Sequence, residues 1–146
     1  MPMIADRRVL LLGIALAFAI CSASAQSIVP PATPSLATID WSKSELITIT
    51  MTDYEFTPRH LAFRRGLPTR LHLVNDGTEI HDFTAPDFFK TIDLRDPSVM
   101  RSSGIGIPVD PHQRKDVEFI ARMPGRFGLI CADHDWAGMT ADILVE

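Results

Sequence analysis

From residue 41 onward, apolar and polar residues alternate with the period of two that marks half-buried strands. Leu46-Ile47-Thr48-Ile49-Thr50-Met51 is rich in β-branched residues, with Ile47, Ile49 and Met51 on one face and Leu46, Thr48 and Thr50 on the other. Residues 69–75 and 115–121 alternate in the same way, and residues 126–131 and 140–145 read as two further strands. Turn signals fall between them at Arg65-Gly66-Leu67-Pro68, Asn75-Asp76-Gly77 and Met123-Pro124-Gly125. Short strands punctuated in this way predict an all-β sandwich or barrel. One segment departs from the rhythm. Asp96 reads as an N-cap, Pro97 as a first helical position and Gly104 as a stop, which predicts a short helix within a side connection from Lys90 to Gln113.

The N-terminal pattern is different. Arg7-Arg8 precede an apolar run from Val9 to Ile20, and Ala23-Ser24-Ala25 follows with the small-x-small spacing of a signal-peptidase site. The run is short for a membrane span. Residues 1–25 are therefore expected to be a secretory signal cleaved after Ala25, placing the mature chain in the periplasm. A lipoprotein signal acylated at Cys21 is the rival, weakened by bulky Ile20 where a small residue belongs. Residues 26–40, rich in Pro, Ser, Thr and Ala, read as an extended tether or an ordered arm, and residues 41–146 as the domain proper.

Cleavage alters the cysteine count and the charge. Of two Cys, only Cys131 remains, so no internal disulfide is available and the thiol must be buried, reactive or metal-bound. Loss of Arg7, Arg8 and Asp6 makes the mature chain one charge more negative than the −4 of the whole. With no basic run, nucleic acid is not an expected partner, and neither is stable membrane insertion after cleavage. The chain is expected to be a monomer.

The residues that carry chemistry cluster near the C-terminus. Cys131-Ala132-Asp133-His134-Asp135-Trp136-Ala137-Gly138-Met139 places a thiol, an imidazole and a thioether within one loop, and His81 stands upstream in Ile80-His81-Asp82-Phe83. Taken singly, each residue has an ordinary reading: a strand-end His, a core Met, a buried Cys. Together they are two His and one Cys with a weak Met, the ligand set of a type 1 copper site. A soft thiolate and two imidazoles suit both Cu(I) and Cu(II), and a constrained loop between strand ends holds them still. His60, His72 and His112 lack a matching pattern, and alternation with Leu71 and Leu73 puts His72 on the solvent face.

Residues 45–146 resemble the cupredoxin family, in its plastocyanin and pseudoazurin branch. The resemblance rests on Tyr54-Glu55-Phe56-Thr57-Pro58 with Leu61, on Gly66, on Asn75 and Gly77 leading to His81, and on Cys131-x2-His134-x4-Met139 with Gly138. It implies a Greek-key β-sandwich and one copper ion held by His81, Cys131, His134 and Met139. It also implies that His134 is the exposed ligand and electron port. One position departs from the family: Asp82 stands where Asn commonly ties the two ligand loops together. A carboxylate can accept backbone N–H bonds and brace in the same way, while its charge would favour Cu(II) and lower the reduction potential. Asp133 and Asp135 would act likewise if they pointed inward. Trp136 is read as exposed, an apolar docking surface for a redox donor and acceptor beside His134.

The function expected is that of an exported carrier passing single electrons through one copper ion. The alternative is a periplasmic protein that buffers or delivers copper, although the chain has no Met-rich run. An enzyme is not expected: five His without a His-x-His pair cannot build the clusters of a copper oxidase, and a single loop Cys cannot build a binuclear site.

Overall fold

The computed structural model describes residues 35–146. The expected signal segment, and all of the expected arm before residue 35, lie outside the described residues. In the described part of the arm Leu36–Thr38 forms a single 3-10 turn capped by the Ser35 side chain, and Trp41–Lys43, just after the arm, forms another capped by Asp40. Trp41 is buried, with the Arg95 guanidinium 5.3 Å from its ring centroid.

Ten strands follow: β1 (Glu45–Thr52), β2 (Glu55–Thr57), β3 (His60–Phe63), β4 (Pro68–Asn75), β5 (His81–Thr84), β6 (Ile92–Leu94), β7 (Gly106–Val109), β8 (Arg114–Ala121), β9 (Gly125–Ile130) and β10 (Thr140–Val145). They form two five-stranded sheets, ordered β2-β1-β4-β8-β6 and β3-β10-β9-β5-β7. β1–β4 and β3–β10 run parallel and the other neighbours antiparallel. From β2 to β9 the chain changes sheet at every connection, which is how the two layers become one sandwich.

The predicted alternation carries through to packing. Ile49 and Met51 of β1, Leu71 and Leu73 of β4, and Val117 and Phe119 of β8 are buried. They meet Leu61, Phe63, Phe83, Ile107, Leu129, Ile143 and Val145 of the other sheet. Leu46 on the opposite face of β1 is exposed. His72 points outward as expected, its Nδ1 2.5 Å from Asp116 across the β4–β8 ladder.

Two expectations need correction. The predicted helix after Asp96 is only a single 3-10 turn, Pro97–Val99, although Asp96 does cap it through Ser98 N–H at 2.9 Å. The only α-helical turn among the described residues is α1 (Pro86–Phe89), which begins at Pro86 immediately after β5. Its Phe88 is driven into the core, 5.4 Å from Phe63, 5.5 Å from Phe119 and 5.7 Å from Phe127 between ring centroids. The Lys90–Gln113 connection is also not a plain excursion, because it supplies β6 and β7, one edge strand to each sheet. Three and four residues are too short to display a period, and Pro108 within β7 argues against a strand except at an edge, which is where it lies. No helix among the described residues is long and apolar enough to cross a membrane.

Candidate metal centre

β5 and β9 are antiparallel neighbours paired at Thr84 and Ile130, the last residue of each, so β5 runs back from there alongside the residues that follow β9. His81 opens β5 and Cys131 directly follows β9. The two ligand segments therefore meet within one sheet rather than across the sandwich. The loop from Cys131 folds back on itself: His134 N–H donates to Cys131 O at 3.1 Å, and Ala137 N–H to His134 O at 3.0 Å. Gly138, at φ 82°, takes the left-handed conformation that ends the 3-10 turn Asp135–Ala137. Cys131 N–H then bonds Met139 O at 3.1 Å, closing the loop at the foot of β10.

Three donor atoms converge. His81 Nδ1 lies 3.2 Å from His134 Nδ1, and Cys131 Sγ lies 3.3 Å from His134 Nδ1 and 3.8 Å from His81 Nδ1. All three residues are buried. A point equidistant from these atoms sits about 2 Å from each, the length of a metal–imidazole bond and slightly under that of a metal–thiolate bond. Two inward Nδ1 atoms this close cannot both carry protons, so the arrangement suits a shared cation. Met139 is fully buried and immediately precedes β10, the strand that leaves the loop. Burial pushes the Cys131 thiol above its ordinary range, so metal binding there releases a proton.

The outward edges of both imidazoles end on carboxylates. His81 Nε2 is 2.9 Å from Asp53 Oδ1, and His134 Nε2 is 2.6 Å from Glu79 Oε2. Asp53 sits in the β1–β2 turn and accepts from Thr78 N–H at 3.2 Å and Thr78 Oγ1–H at 2.9 Å. The hydrogen bond from His81, followed by those from Thr78, holds the Asp53 carboxyl at about 2. Buried Asn75 shapes the intervening loop. Its Nδ2 donates to Glu79 O and Val109 O, both at 2.8 Å, and its Oδ1 accepts from Gly77 N–H at 2.9 Å.

Asp82 braces the loops as expected. Its Oδ1 accepts from Ala132 N–H at 2.9 Å and from Thr84 Oγ1–H at 2.6 Å. Its charge, however, is not left bare. Arg101 Nη2 lies 3.2 Å from Asp82 Oδ2 and 3.7 Å from Asp133 Oδ2, so one guanidinium offsets both carboxylates. Asp133 and Asp135 are exposed and do not point inward. A second expectation fails outright: His134 is not an exposed ligand. It is only 8% exposed, with Glu79 over its Nε2 edge and the Tyr54 ring at 5.0 Å. The exposed group is Trp136, at 77%, tied by Nε1–H to Asp133 O at 3.0 Å and 5.9 Å from Tyr54.

Asp53, Glu79 and Arg101 went unnoticed in the sequence. A turn Asp, a loop Glu and a loop Arg look like ordinary solvent-facing residues, and only the fold brings them to the imidazoles and to Asp82.

The two mixed sheets make a cupredoxin-like fold, and the His–Cys–His cluster at its loop end fits a type 1 copper site. The fold is similar to that of auracyanin B, with TM-score 0.52 and 15% identity, covering 69% of this chain and 88% of that one. It is similar also to the dithionite-reduced auracyanin of Roseiflexus castenholzii, with TM-score 0.54 and 13% identity, covering 70% and 98%. A purple cupredoxin of Nitrosopumilus maritimus aligns at TM-score 0.44 and 16% identity, over 68% and 98%. At such identities the likeness is one of fold. No protein-family model and no curated protein sequence matches the chain.

Proposed function

We propose that this chain is an exported single-copper electron carrier in which His81, Cys131 and His134 are the principal donors and Met139 the weak fourth. The observation that carries the reading is the donor triangle, with two Nδ1 atoms and one Sγ converging on a point at bonding distance from all three. Copper held there supplies a Cu(I)/Cu(II) couple that moves one electron without forming or breaking a substrate bond. Cys131 supplies the soft thiolate, and Asp82 fixes the Cys131 loop to β5 through Ala132 N–H. Loop bonds from His134, Ala137 and Met139 hold the donors against rearrangement. The signal-like pattern of residues 1–25 supports export to the periplasm.

Burial of all three donors favours retention of the ion over its delivery, and so favours the carrier over the trafficking protein. With His134 covered, docking of redox partners is assigned to the exposed face of Trp136 and Tyr54 above it. In mixtures of oxidised and reduced copper-loaded protein, NMR line broadening should show rapid electron self-exchange, with little copper lost to an added chelator. Slow self-exchange with ready transfer to the chelator would overturn the carrier reading in favour of trafficking.

A further inference from the structure

The site holds three carboxylates, and they are not equivalent. Asp82 is offset by Arg101 at 3.2 Å. Asp53 and Glu79 each end instead on an imidazole Nε2, at 2.9 and 2.6 Å, and among the described residues neither has a Lys or Arg partner. One short loop commands both. Thr78 fixes Asp53 through its N–H and hydroxyl, and the next residue, Glu79, reaches His134 while its carbonyl is held by Asn75. A carboxylate that accepts the outer N–H of a metal-binding imidazole fixes its tautomer and ring orientation and strengthens the inner nitrogen as a donor. Two such contacts, with uncompensated negative charge, favour the more highly charged ion.

We propose that Asp53 and Glu79 are paired positioning residues. They lock His81 and His134 with Nδ1 inward and bias the centre toward Cu(II). Glu79 also replaces solvent at the outer edge of His134. The inference rests on the copper reading above, and its test separates the two.

The full chain, loaded with copper, is compared by redox titration with Asp53→Asn, Glu79→Gln and the double variant. Each substitution retains an oxygen acceptor and removes the charge. Every variant should keep the thiolate-to-copper absorption band. Each single change should move the Cu(II)/Cu(I) affinity ratio about tenfold toward Cu(I), a rise of about 59 mV, and the double variant further. Asp135→Asn, an exposed carboxylate on the ligand loop, should move the ratio less than either. Wild-type potentials in both single variants, with the band intact, would overturn the inference. A wild-type protein without the band would overturn the copper reading instead. Should Asp53→Asn fail to fold, Glu79→Gln decides alone, because that half-exposed side chain sits on a surface loop.

Discussion

Gly77 shows how tightly the contacts around the donors are built. A Cβ placed there would lie 2.3 Å from Asp53 Oδ1 and 2.8 Å from His81 Nε2, inside the hydrogen bond that joins them. Nothing at that point is the free end of a long side chain, so the pair itself would have to part. Gly77→Ala is expected to leave far-ultraviolet circular dichroism unchanged while lowering Cu(II) affinity about tenfold or more in chelator competition. Wild-type affinity would contradict the role given to the Asp53–His81 contact. At this scale the sequence was half legible. Cys131 and His134 share one loop, so their spacing announces them. Asp53 lies 28 residues before His81 and carries no mark of its purpose. The charge on Asp82 was legible, but its meaning was not, because Arg101 reaches it from a connection whose path the sequence does not display.

The long strands were readable because each presents one apolar face to a common core, and eight residues are enough to show the period. β6 and β7 were not, nor was α1, where Pro86 starts a turn too short to show helical spacing. Those short elements still matter to the sheets. Glu118 of β8 binds Arg70 of β4 through Arg70 Nη2 at 2.8 Å, and also Arg95, just beyond β6. It thereby ties three adjacent strands on the solvent face. Burial pushes the Glu118 carboxyl up, but hydrogen bonds from Arg70 and Arg95 outweigh it and leave it below its ordinary 4.5. A group whose folded value is depressed adds stability above its unfolded value and loses it as pH falls through the folded one. Glu118→Gln should therefore cost about 1–2 kcal/mol in urea unfolding at neutral pH, with the gap from wild type closing below about pH 4. A gap that persisted in acid would show that packing, not charge, is what Glu118 contributes.

Residues 35–146 form a sandwich whose connections converge on one site. The β1–β2 turn brings Asp53 and Tyr54, the β4–β5 loop brings Glu79, and the β9–β10 loop brings Cys131, His134 and Trp136. The sandwich and the Cys131–His134 pair of the buried cluster were legible because core periodicity and loop spacing are local signals. The closure of His134 was not, since it depends on two residues from other connections. The central claim is that these connections hold one copper ion through the Cys131 thiolate. It is tested most directly by the visible absorption and EPR spectra of the copper-loaded chain beside those of Cys131→Ser. The account predicts an intense thiolate-to-copper charge-transfer band with narrow copper hyperfine splitting in the wild-type protein, and loss of both in Cys131→Ser. The same band in the variant, or its absence from the wild-type protein, would contradict it.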